Sequence, residues 1–414
     1  MRFRILFAIA VLFLFFLAGC SIPSGGEFPQ RGRQWTIMVY MAADNDLAGE
    51  AVKDLQSMER VGSTEDVAIV VELDTPSGAT RYFVDRGGST VLEYLGNVNS
   101  GNPGTLLNFI RFARERYPAQ RYALILWNHG SGVKGLSKDI AFDFAARSAI
   151  TLPELRNALA LSGISLDLLG MDACLMQMVE VAYEVRNFAR VLVSSQENVP
   201  GEGWDYETVL RTLVGNPTMH VFDLARLIVE SYITYYQRYG VPGRYTLSAV
   251  DLSQIGALAR ALDELALAIL SDAQTPPWIY LALGDSALYF GDPDFVDLGD
   301  FMRILAFDPR VPFAVREKAN VVLQQLAACV LSTRSLSISS GIIEASGLSI
   351  YFPYTAYVRK YGDLAFASAT HWDELVQYLA QWRYGMGRRW KYASLRGSDS
   401  SFAQREPKEL LETP

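Results

Sequence analysis

Two short apolar runs, Tyr122–Trp127 (YALILW) and Leu166–Met171 (LDLLGM), each lead directly into a reactive group. The first closes on Asn128-His129-Gly130 and the second on Asp172-Ala173-Cys174. Each run is continuous and bounded by polar residues or glycine, the pattern of a strand buried on both faces. Such strands build open α/β sheets, whose ligands bind outside the carboxyl ends of the strands. Two parallel neighbours of this kind bring one imidazole and one thiol to a common edge. A cysteine nucleophile needs that arrangement, with a base nearby to take its proton.

The same rhythm continues on either side. TIMVYMA after Trp35 and VAIVVELD (Val67–Asp74) predict further buried strands, and Arg81–Leu95, broken at Gly87-Gly88, predicts a hairpin. Asp44-Asn45-Asp46 offers capping side chains to a helix reaching about Arg60. Thr105–Tyr117 predicts a helix leading into the His129 strand, and Leu152-Pro153-Glu154 opens another with proline in its first turn. Leu175–Asn187 predicts a helix that starts at Cys174, where backbone N–H groups and the helix dipole favour a thiolate. Arg190–Ser195 is the next strand. Strands alternating with helices predict an α/β fold with a mostly parallel sheet covered on both faces. Further on, Tyr245–Asp251 reads as a strand and Ile255–Ser271 and Val311–Leu331 as helices, with Gly347–Pro353 returning to extend the sheet.

The ends of the chain behave differently. Arg2 and Arg4 precede the unbroken apolar run Ile5–Leu17, whose 13 residues are too few to span a bilayer and fit a signal-peptide core. Leu17-Ala18-Gly19-Cys20 resembles the lipobox of bacterial lipoproteins, which implies cleavage before Cys20 and lipid on its sulfur. An ordinary signal peptide, or an uncleaved anchor with Cys20 incidental, is the other reading. The expected organisation is a leader over 1–19, a flexible Ser/Gly/Pro-rich tether over 20–34, one domain over 35–383 and a disordered polar tail over 384–414. A lipid on Cys20 would hold a folded domain at a membrane of the cell envelope. The formal net charge of -8, with no basic stripe, argues against a nucleic-acid partner.

Few residues compete for the chemistry. The three cysteines are Cys20, Cys174 and Cys329, the last in the apolar stretch QLAACVLS. A disulfide between Cys174 and Cys329 stays open, as does a merely structural Cys174 buried at a strand end. Of the three histidines, His220 and His371 each sit at the start of a helical stretch, which leaves His129 as the base. No His-x-x-x-His or Cys-x-x-Cys pair suggests a zinc site, and no Gly-x-Ser-x-Gly elbow suggests a serine hydrolase.

A hydrophobic run closing on His-Gly, followed by another closing on Asp-Ala-Cys, resembles the clostripain family of cysteine peptidases. Trp35–Leu47 (WTIMVYMAADNDL), Gln196–Tyr206 (QENVPGEGWDY) and Gly347–Pro353 (GLSIYFP) are similar to clostripain relatives as well. The resemblance implies a caspase-like three-layer fold, with Cys174 as nucleophile, His129 as proton carrier and peptides or proteins as substrates. It implies oxyanion donors at the backbone N–H groups of Gly130 and Cys174. It also implies cleavage after Arg or Lys, for which Asp172, Glu202 and Asp205 are the candidate pocket carboxylates. Asp172 as a helix cap, with Glu202 and Asp205 as solvated loop charges, is the competing reading. Some relatives bind calcium or cut themselves in the loop after the histidine. Here that loop, KDIAFDFAARSA, mixes Asp139 and Asp143 with Ile140, Phe142 and Phe144, which weakens the expectation of calcium and leaves Arg147 as a self-cleavage candidate. No cofactor is required. The rival from another class is a catalytically silent lipoprotein that uses the same cleft to hold a peptide.

Overall fold

The computed structural model describes residues 32–134, 140–272, 279, 288–338, 344–353 and 356–382. The leader, Cys20, most of the tether, Asp139 and the 384–414 tail lie outside the described residues. Among those described, no helix is long and apolar enough to cross a membrane.

The buried runs form the middle of one nine-stranded sheet. Its strands are β1 (Trp35–Ala42), β2 (Val67–Thr75), β3 (Gly78–Asp85), β4 (Gly88–Gly96), β5 (Arg121–Trp127), β8 (Leu166–Asp172), β9 (Ala189–Ser194), β10 (Gly243–Asp251) and β12 (Val330–Ile338). They lie in the order β12-β10-β9-β8-β5-β1-β2-β3-β4. The five central strands, β9 to β2, pair in parallel, and antiparallel strands finish both sides. Every residue of β1 is buried, as expected of a strand with no solvent face.

Alternation sends successive side chains of each central strand into two separate cores. Met38, Tyr40, Leu124, Leu126, Leu169 and Met171 enter one, which α2 (Pro103–Arg116), α3 (Leu152–Ser162), α4 (Val179–Val185) and α7 (Ile255–Leu270) cover. Ile37, Val39, Met41, Ile125, Trp127 and Leu168 enter the other, beneath α1 (Ala48–Glu59), α5 (Tyr206–Gly215) and α6 (Val221–Tyr239). The result is a three-layer α/β/α sandwich. Local signals set its helix ends: Thr151 and Glu154 form a capping box at α3, with Pro153 in the first turn and left-handed Gly163 at the end.

Three expectations are corrected. Asp44 and Asp46 do not cap α1, whose N-cap is Leu47 without a side-chain cap. The stretch after Cys174 becomes helical only at Val179, because Cys174 and Leu175 form a turn. Gly347–Pro353 does not extend the large sheet: β13 (Ser349–Tyr351) pairs with β11 (Phe295–Asp297) in a small sheet of its own. The large sheet gains β12 instead, which overlaps the expected helix only at Val330 and Leu331 and continues through a stretch for which the sequence predicts no strand.

The chain runs from β1 outward to β2, then returns to place β5 on the other side of β1. Strand order therefore reverses between β1 and β5. In an open α/β sheet that reversal opens a crevice at the carboxyl ends of the strands.

Candidate active site

Strand register sets the site. Trp127, the last residue of β5, pairs with Asp172, the last residue of β8. His129 and Cys174 each follow two residues later, so the two adjacent strands deliver them level with one another. Both line a cavity of about 300 Å³, together with Leu47, Asp172, Val199 and Gly203.

The turn carrying the thiol is held by distant backbone rather than by a helix. Leu175 N–H donates to the Glu197 carbonyl at 3.2 Å, and Gln177 N–H to that of Ser195 at 3.0 Å. Leu175 adopts a left-handed φ of 63°, a conformation costing roughly 1–2 kcal/mol for a residue with a side chain. Burial pushes the Cys174 thiol up, the carboxylates of Asp172 and Glu197 add to this, and the backbone N–H groups of Val199 and Gly130 oppose it. Val199 N–H lies 3.3 Å from the sulfur. The expected helix dipole is absent at Cys174, and two backbone donors take its place. Gly130 must be glycine, since a Cβ there would overlap the carbonyl oxygen of Cys174. Cys174 and Cys329 are both free, and Cys329 is buried with its thiol pushed up to about 12.

His129 is fixed from three sides. The side-chain oxygen of Asn128 accepts from the His129 backbone N–H, while the Asn128 amide donates to the carbonyls of Ala42 and Phe142. The Phe144 ring lies nearly parallel to the imidazole, 10° apart in plane with centroids separated by 6.5 Å. Asp46 Oδ1 sits 2.8 Å from Nε2. Sequence reasoning assigned Asp46 to helix capping, and nothing local to β1 reveals its contact across the crevice. His220 and His371 stay away from the site: His220 caps α6 through Nδ1, and His371 faces Asp263.

Asp172 is 3 % exposed. Its Oδ2 accepts from Trp204 N–H and from the Tyr206 hydroxyl, each at 3.0 Å. Its Oδ1 is buried and has no hydrogen-bond partner among the described residues. Burial pushes its carboxyl up to about 7. On α1, burial and the Asp172 charge push Asp54 up to about 9, although its Oδ2 accepts from Trp127 Nε1 at 2.8 Å. The other two sequence candidates go elsewhere. Asp205 caps α5 through Thr208 N–H. With Glu202 it lines a separate depression of about 390 Å³ beside Glu50 and Lys53. Arg147 is exposed, with a φ of 51°, in the turn between β6 (Ile140–Asp143) and β7 (Ser148–Ile150). Among the described residues no three His, Cys, Asp or Glu side chains group to hold a metal ion.

Two of the three further stretches singled out in the sequence, Gln196–Tyr206 and Gly347–Pro353, meet through Gln196. Gln196 is buried, its amide donating to Asp297 Oδ2 at 3.1 Å and its oxygen accepting from Gly347 N–H at 3.0 Å.

Comparison with known proteins agrees with this architecture. Clostripain of Hathewaya histolytica is 27% identical over 300 residues, which is 57% of this chain and 56% of clostripain. The chain thus spans about half the length of that curated relative. An inactive zymogen C11 protease from Parabacteroides distasonis superposes with a TM-score of 0.65 at 20% identity, over 82% of this chain and 98% of that one. A secreted C11 cysteine protease from Bacteroides thetaiotaomicron, solved with an irreversible peptide inhibitor, gives 0.65 at 23% identity, over 82% and 99%. These likenesses show a shared caspase-like fold. A sequence profile of the clostripain family matches residues 39–382, and the chain belongs to that family.

Proposed function

We propose that the protein is a cysteine endopeptidase that cuts peptide bonds after Arg or Lys. The observation that carries this reading is Asp172, which lines the cavity with His129 and Cys174 and whose buried Oδ1 has no hydrogen-bond partner among the described residues. A guanidinium or ammonium supplies the partner that Oδ1 lacks, and binding it stabilises the ionised carboxylate against burial. The substrate's basic side chain enters beside Asp172, which puts the following carbonyl over the sulfur.

In the reaction the Cys174 sulfur attacks that carbonyl as its proton passes to His129. The C–N bond then breaks, the amine leaves with the proton from His129, and a thioester remains. Water, deprotonated by His129, attacks the thioester and releases the acid and the thiol. The backbone N–H groups of Gly130 and Cys174 face the oxygen on which negative charge develops.

Lipid attachment at Cys20 tethers this domain to the cell envelope, a reading supported by the lipobox-like Leu17–Cys20 stretch. Labelled fatty acid should enter the wild-type precursor and not Cys20→Ser. The peptidase reading is tested with peptide amides ending in Arg, Lys, Asp or a neutral residue. Wild type turns over the first two, while Cys174→Ala and His129→Ala are inactive with nearly unchanged melts. Substantial activity in Cys174→Ala refutes the assignment.

A further inference from the structure

We propose that Asp46 is a positioning residue for His129, holding the proton on Nε2 so that Nδ1 is the nitrogen offered to the Cys174 thiol. This rests on the Cys174–His129 reading above. A neutral imidazole has one N–H donor and one acceptor nitrogen, whereas a carboxylate only accepts. With Asp46 Oδ1 2.8 Å from Nε2, the neutral ring keeps its proton on that nitrogen and its lone pair on Nδ1.

The surroundings agree. Asn128 fixes the His129 backbone, and the Phe144 ring lies nearly parallel to the imidazole. Neither one selects a nitrogen. Asp46 does, and it arrives from the loop after β1, across the crevice where strand order reverses. During attack the S–H bond breaks as the S–C bond forms, and the proton goes to Nδ1. The resulting imidazolium donates Nε2–H to Asp46 in a charge-assisted bond. The Nδ1 proton then passes to the leaving nitrogen as the C–N bond breaks. The Nε2 proton never moves and Asp46 stays ionised throughout. The Asp46 side chain is 62% exposed, so solvent screens its charge, and its contribution is orientation and choice of tautomer.

The test has two arms on the full chain. In the first, Cys174→Ala protein is labelled with nitrogen-15 and the histidine rings are read by long-range proton–nitrogen correlation. The chain has 3 histidines, and single substitution of His220 and His371 assigns His129. The expected spectrum shows Nε2 protonated and Nδ1 bare, and adding Asp46→Ala turns this into a mixture of tautomers. In the second arm, Asp46→Ala lowers kcat on basic peptide amides about ten- to hundredfold with KM within about twofold, and Asp46→Glu recovers part of the loss. A protonated Nδ1 in the first arm, or a tautomer and kcat both indifferent to Asp46→Ala, overturns the proposal. Absence of wild-type turnover refutes the peptidase reading alone, because the spectra still decide the role of Asp46.

Discussion

Gly203 presses on Asp172: a Cβ placed on this glycine would lie 2.6 Å from Oδ2 of the carboxylate. Its φ of 57° is in the left-handed region as well, so Gly203→Ala meets two penalties. The backbone penalty is roughly 1–2 kcal/mol, visible as a lower melting temperature. Displacement of the carboxylate should reduce kcat/KM on Arg and Lys substrates by about a hundredfold, with a much smaller loss on neutral ones. An equal loss on all substrates would mean that the loop serves the sulfur rather than the pocket.

Titration of Asp172 gives KM for basic substrates a pH dependence. Its carboxyl stands at about 7 before substrate binds, and only the ionised form pairs with a cation. KM for an Arg substrate should be flat above pH 7 and rise about tenfold per unit below it, with KM for a neutral substrate constant. Asp172→Asn removes both the dependence and roughly 2–5 kcal/mol of transition-state binding for basic substrates.

That same group should oppose folding. A carboxyl whose folded value is raised from the usual 3.8 to about 7 favours the protonated form in the folded state. Its stabilising effect is fully present below about pH 4 and is lost as pH rises through 7. Asp172→Asn should therefore gain on wild type between pH 4 and 7 and hold a constant advantage above that. Thermal melts across this range check the sign.

Asn45 and Asn128 donate to the same two carbonyls, those of Ala42 and Phe142. Either amide alone keeps both acceptors satisfied. Each single change to alanine should cost about 1 kcal/mol. The double variant should exceed their sum by about 0.5–3 kcal/mol, measured by denaturant unfolding. Additive losses would show that the shared acceptors are not the coupling.

Arg147 tests self-cleavage. Buried Asp143 accepts from Ser100 N–H and Ala146 N–H and holds its turn shut. A peptidase grips extended backbone, so the β6–β7 hairpin must open first. Asp143→Ala should speed appearance of a fragment ending at Arg147, while Arg147→Ala and Cys174→Ala stay intact. Mass spectrometry of purified protein over time reads the outcome.

How much of this was legible depends on how local each cause is. β1, β2, β5 and β8 were readable because burial on both faces forces a continuous apolar run, and register then brought His129 and Cys174 together. The turn at Cys174 was not. Leu175-Met176 runs on in apolar character into VEVAYEV, and only bonds from Glu197 and Ser195 break the helix there. β12 was hidden because LSTRSLSI is polar and half-exposed at the sheet's edge. β13 was read as a strand but given the wrong partner, since Phe295–Asp297 is too short to announce itself. The contact of Asp46 with His129 joins residues 83 positions apart, beyond the reach of any local pattern.

The place of β1 at the middle of the sheet has a consequence for how the chain is made. Among the described residues it is the first strand of the sheet, yet one of its neighbours, β5, begins only at Arg121. Until then a largely apolar strand carries one bare row of N–H and C=O groups, and each later crossover moves the bare row outward to β5 and then β8. Parallel pairings of this kind close large loops before their contacts form, so folding is slow and its intermediates are long-lived. An incomplete sheet can be capped by β1 or β5 of a second chain. Association during synthesis, more than contact at the finished edges β4 and β12, is thus the expected route to any aggregation, and low temperature or slow expression should improve the yield.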